Sequence, residues 1–136
     1  MTKSSFEDII AEQGKLIYTS VGDSMNPLIK EGDLLVISKV TQPLKKYDIP
    51  LYKRDNGQYV LHRIIDISSD GYVMCGDNRA AAERGIGDRN IIGVLTAVIR
   101  DGVESPVEPG TGLYTRLWYG SLMFRKIVFR VKGFIK

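Results

Sequence analysis

The sequence predicts a single, mainly β domain preceded by one short helix. Three observations carry this. Short apolar runs alternate with turn signals along most of the chain. Helical spacing appears ahead of them only near the start. The composition is ordinary globular, with 43% hydrophobic and 26% charged residues, 14 Gly and 5 Pro in 136 residues. That composition excludes disorder, collagen-like repeats and a multi-domain enzyme, and the length supports one sizeable core.

Ser4-Ser5 followed by Phe6, Ile9 and Ile10 predicts a capped helix over about 4–13, ended by Gly14. Leu16 to Val21 reads as a strand. Gly32-Asp33 is a turn before the β-rich run Leu34 to Val40. Tyr59 to Ile67 alternates as one strand, with Val60, His62 and Ile64 on one face and Leu61, Arg63 and Ile65 on the other. Ser68-Ser69-Asp70-Gly71 turns it back into Tyr72 to Cys75, a hairpin, and Ile91 to Ile99 is the last core strand. The Pro and Gly content of 105–112 marks a linker. The expected organisation is an N-terminal helix at 1–13, a core domain at 14–102, a linker at 103–112 and a basic amphipathic segment at 113–136.

The net charge of +3 is uneven. Residues 113–136 carry six cations and no acid, so the basic balance belongs to that segment and not to the body. No stretch approaches the roughly 18 uninterrupted apolar residues of a membrane span. The acidic N-terminus does not read as a secretory signal, so the expected compartment is the cytoplasm. A single Cys (Cys75) excludes an intramolecular disulfide framework and a multi-Cys zinc site, a single His (His62) excludes His-cluster metal chemistry, and no cofactor is expected.

The densest group of chemistry-bearing residues is Val21-Gly22-Asp23-Ser24-Met25-Asn26-Pro27. A Ser in such a context sits on a turn with its hydroxyl outward, where its own amide can help stabilise an oxyanion. Taken alone, the group reads as a plain turn. His62 is the one imidazole able to serve as general base near neutral pH. Asp77, Glu83 and Asp88 are the carboxylates that could orient it, and each reads on its own as a solvated loop acid.

The Ser24-Met25-x-Pro27 box, Gly32-Asp33, His62-Arg63 and Gly76-Asp77-Asn78 occur in that order. Together they resemble the signal peptidase I and LexA-like serine peptidase superfamily. The resemblance covers roughly residues 18–99. It implies the antiparallel β-fold of that superfamily, with Ser24 as nucleophile and Ser24, Met25 and Gly22 around the oxyanion. Met25 and Pro27 are implied to meet the substrate. His62 stands where bacterial signal peptidases have Lys, which is the mark of the endoplasmic-reticulum-type Ser-His branch. Asp77 matches the acid of the Gly-Asp-Asn motif, and Glu83-Arg84-Gly85 matches the branch's Asp-Arg-Gly with Glu for Asp.

Two further departures stand out. The membrane-spanning helix usual ahead of the Ser box is missing from the 23 residues before Ser24. Gly22 stands where a hydroxyl donor is common, and losing one such donor costs about 10²–10³ in rate. The implied function is a serine endopeptidase that cleaves a precursor or signal-like peptide after small residues, bound along a strand edge. The alternatives are a LexA-like self-cleaving regulator, opposed by the lack of an upstream helix-turn-helix, and an inert peptide-binding module.

In 113–136, Leu113, Leu117, Phe124, Ile127, Val128, Val131 and Ile135 share a charge-free sector of about 100° on a helical projection. Arg116, Arg125, Lys126, Arg130, Lys132 and Lys136 occupy the rest. This predicts peripheral attachment to an anionic membrane surface, ahead of docking on the domain's own sheet or on another copy. Lys126 to Phe134 also reads as a strand, since Phe129, Val131 and Gly133 alternate with Arg130 and Lys132. Nucleic acid is not expected as a partner, because no recognition module accompanies the charge.

Overall fold

The computed structural model describes residues 5–107 apart from Pro27. The linker beyond Val107, the basic segment 113–136 and the expected substrate contact at Pro27 therefore lie outside the described residues.

Helix α1 (Phe6–Gln13) starts as its sequence dictates. The Ser5 side chain accepts the Asp8 N–H at 3.2 Å, and the Asp8 carboxylate accepts the Ser5 N–H at 3.3 Å. The helix stops at Gly14, whose φ of +81° is left-handed and whose N–H reaches the Ile10 carbonyl at 2.8 Å.

Among the described residues nine strands follow: β1 (Lys15–Thr19), β2 (Leu34–Ser38), β3 (Pro50–Lys53), β4 (Tyr59–Leu61), β5 (Arg63–Ser68), β6 (Gly71–Cys75), β7 (Glu83–Ile86), β8 (Ile91–Arg100) and β9 (Val103–Pro106). All pairings are antiparallel. One sheet runs β1-β2-β8-β3-β4, with β9 also paired to β8; the other runs β5-β6-β7. The expected mainly antiparallel β-fold with a short N-terminal helix is the fold observed.

The larger core lies under the first sheet, where Ile10 of α1 meets Leu16, Leu35, Ile37, Leu51 and Leu95. Fully burying a side chain of this kind stabilises by roughly 1.5–3 kcal/mol. A second cluster of Tyr52, Ile64, Met74 and Ile86 joins the two sheets. Among the described residues, no helix is long and apolar enough to cross a membrane.

Three differences from the sequence expectation matter. The run Tyr59 to Ile67 is not one strand: β4 pairs with β3 in the first sheet, β5 pairs with β6 in the second, and His62 is the residue between them. β3 and β7 were not anticipated. Val103–Pro106 pairs with the end of β8, although its Pro content placed it in the connecting stretch.

Candidate active site

Ser24 stands in the loop joining β1 to β2. The loop is closed at its base, where the Ser20 N–H donates to the Asp33 carbonyl at 2.7 Å and the Gly32 N–H to the Ser20 carbonyl at 3.0 Å. Buried Asp33 secures this closure. Its carboxylate accepts the Lys30 N–H at 2.8 Å and the Arg100 guanidinium at 2.9 and 2.6 Å. The Arg100 pairing holds its carboxyl below the usual range. Gly32-Asp33 of the motif thus fastens the Ser loop to β8.

The loop after β6 grips the Ser24 turn from the other side. The Asn78 N–H donates to the Ser24 carbonyl at 2.8 Å, and the Asn78 side-chain amide to the Asp23 carbonyl at 3.1 Å. Arg79 pairs with the Asp23 carboxylate at 2.9 Å. Met25, buried beneath the turn, accepts the Asp77 N–H on its Sδ at 3.3 Å.

Gly76 is where the pieces meet. A Cβ on Gly76 would stand 2.6 Å from the Ser24 carbonyl oxygen and 3.1 Å from His62 Nε2. The Ser24 backbone and the imidazole nitrogen therefore converge on one point, 38 positions apart in the chain. Ser24, Met25, Gly22 and His62 all line the same cleft of about 600 Å³.

The cleft lies between the two outer strands of the first sheet. Tyr18 to Val21 form one wall and Tyr59 to Leu61 the other, with Leu35 and Leu51 below. Among the described residues β1 pairs only with β2, and β4 only with β3, so each presents an unpaired backbone edge to the gap.

Burial pushes the His62 pKa down to about 4; the Arg54 and Arg79 guanidinium groups add to this, while the Glu83 and Asp77 carboxylates oppose it. The imidazole is thus neutral at pH 7 and able to accept a proton. The Tyr52 ring meets it edge-on, with centroids 6.4 Å apart.

The three acids that competed in the sequence to orient His62 have other principal partners. Asp77, fully buried, forms a two-point ion pair with Arg63 at 2.9 and 2.8 Å. A carboxylate so enclosed requires a full counter-charge. Glu83 accepts from the Tyr52 hydroxyl at 2.8 Å and from Arg54 Nη2 at 2.9 Å and Nε at 3.0 Å. Asp88 accepts the Tyr72 hydroxyl at 2.5 Å. Of Glu83 and Asp77, Glu83 has the larger electrostatic influence on the imidazole. Tyr52 and Arg54, which set that influence, escaped the sequence reading because β3 itself did. Tyr52 lies in β3 and Arg54 one residue past its end, and their spacing of two was the available signal.

The sequence model of the Peptidase S24-like family matches residues 3–96. The chain belongs to this family. The S24-like match runs from the N-terminal helix into β8 and takes in Ser24, His62 and Gly76-Asp77-Asn78. This S24-like chain is also similar to Signal peptidase I W of Bacillus subtilis (strain 168), at 31% identity over 85 residues. The similarity covers 57% of the chain and 45% of that relative, so the chain spans less than half of its length.

Proposed function

We propose that this S24-like chain is a serine endopeptidase in which Ser24 is the nucleophile and His62 the general base. The observation that carries the reading is the convergence of the Ser24 carbonyl and His62 Nε2 on Gly76. His62 takes the Ser24 hydroxyl proton as Oγ attacks a peptide carbonyl, and the Ser24 N–H stabilises the developing oxyanion. The imidazolium then protonates the leaving amine, and water hydrolyses the acyl-enzyme by the reverse sequence. Glu83, anchored by Tyr52 and Arg54, favours the imidazolium by charge.

The substrate is an extended peptide with small residues at the first and third positions before the cut, added as a strand between β1 and β4. The two unpaired edges support this, since both strands run toward the Ser24–His62 end of the gap. The basic segment 113–136 is proposed, from its charge pattern, to hold the chain at an anionic membrane surface.

A phosphonate probe that labels activated serines tests the chemistry. Mass spectrometry should find the adduct on Ser24, no adduct in Ser24→Ala, and labelling slowed by at least about 10²-fold in His62→Ala. One observation favours a second reading, an inert peptide-binding module: the Glu83 carboxylate is already engaged by Arg54 and Tyr52. Peptide binding without any adduct on Ser24 selects that reading.

A further inference from the structure

The gap between β1 and β4 is closed at one end by the N-terminal helix. The Phe6 ring stacks on Tyr18 of β1, with centroids 5.3 Å apart, and meets Tyr59 of β4 at 4.7 Å. One side chain thus spans from one outer strand to the other. Helix α1 is held there by Glu7, which accepts the Tyr59 hydroxyl and pairs with Lys53 at 3.2 Å. Phe6 also lines the cleft that contains Ser24 and His62.

Position along β4 sets the depth of the open channel. Tyr59 precedes His62 by three residues, and three strand residues span roughly 10 Å. A peptide inserted beside β4 from the His62 end therefore meets the Phe6–Tyr18–Tyr59 layer after about three residues.

We propose that Phe6 is a specificity-determining residue, a wedge that ends the acyl side of the cleft about three residues before the scissile bond. This rests on the peptidase reading above. The third residue before the cut abuts the wedge, which excludes large side chains there. The fourth must leave the sheet, so residues beyond the third add nothing to recognition. Replacing the ring lengthens the channel and extends strand pairing.

The test is a length series: quenched fluorescent peptides with two to six residues before a common small-residue cleavage site, given to the full chain, to Phe6→Ala and to Phe6→Leu. Leu keeps apolar contact with the core but is too short to span both tyrosines, so it serves if the Ala variant fails to fold. Binding of the same peptides to Ser24→Ala, with and without the Phe6 change, gives a readout independent of turnover. The wild-type chain should reach its lowest KM at three residues. The Phe6 variants should gain roughly 3- to 10-fold for each of the next one or two residues, the worth of one added backbone hydrogen bond. A wild-type KM that keeps falling beyond three, or a plateau that the Phe6 variants leave unmoved, overturns the wedge alone. If the wild type cleaves none of these peptides and Ser24→Ala binds none of them, the peptidase reading and the wedge are overturned together.

Discussion

Arg63 and Asp77 form an ion pair 1% and 0% exposed, and each is the immediate neighbour of a site residue, Arg63 of His62 and Asp77 of Gly76. Arg63 also donates to the carbonyl of Tyr47, held at a left-handed φ of +79°. The pair joins the start of β5 to the loop after β6, and so fixes the imidazole against the point where Ser24 converges.

Removing one partner of this pair should be severe. Asp77→Asn leaves the Arg63 charge without its counter-charge in the interior, which costs about 3–5 kcal/mol. Urea unfolding followed by circular dichroism should show a midpoint far below wild type. A midpoint within error of wild type would mean that the pair does not hold the site.

Gly76 should tolerate no side chain. Gly76→Ala puts a methyl 2.6 Å from the Ser24 carbonyl and 3.1 Å from His62 Nε2, so the two must separate. The expected outcome is loss of probe labelling at Ser24 by at least about 10²-fold, the scale set by misplaced catalytic groups, with the fold retained. Labelling rates and thermal melts on the same sample distinguish the two effects.

His62 should impose a pH dependence on stability below neutrality. Its folded pKa, about 4, lies below the unfolded value near 6.5. Between those values the unfolded chain binds the extra proton, so this contribution is fully present above pH 6.5 and is lost as pH falls through 4. Comparison with His62→Gln across that window isolates the slope from the carboxylates. The same depressed value should set the acid limb of kcat/KM well under 6.5.

Glu83 and Arg54 should move that limb in opposite directions. Glu83→Gln removes a charge favouring the imidazolium and should lower the His62 pKa further; Arg54→Gln removes one opposing it and should raise the pKa. The chain has one histidine, so a single imidazole resonance in NMR reports the titration. Shifts of the same sign in both variants would show that neither charge acts on His62 directly.

The segment 113–136 should confer salt-sensitive membrane binding. The full chain should co-sediment with phosphatidylserine-containing vesicles at low ionic strength and be released at high salt, while a chain ending at 112 stays in solution. Equal binding to neutral vesicles would point to apolar insertion instead of charge.

Much of the fold was legible because its signals are local. Ser5 and Gly14 bound α1, and the apolar runs of β1, β2 and β8 stand out against their turns. What escaped has definite physical reasons. β3 is Pro50-Leu51-Tyr52-Lys53, its first three residues buried, so it shows no alternation. β7 is polar and contains Gly85 at a φ of +79°. β9 is exposed throughout. The break at His62 leaves no mark in periodicity, and the expected two-face alternation fails there: Tyr59 to Leu61 is evenly half-buried and adjacent Arg63 and Ile64 are both buried, while the pairing partner changes from β3 to β6. In the site, the order of motifs pointed to Ser24, His62 and the Gly76-Asp77-Asn78 loop, but to Asp77 within that loop, whereas the close approach is at Gly76. The acids were not resolvable, since their partners Arg63, Arg54 and Tyr72 are chosen by tertiary packing.

The seam at His62 has a bearing on what the proposed enzyme can release. A peptide laid along β4 loses its neighbouring strand at the imidazole, where the chain departs into the other sheet. Scission then falls at the rim of the groove, and the downstream product needs no extended conformation to be accepted. It can already be folded, or long, or attached to something bulky when it is set free.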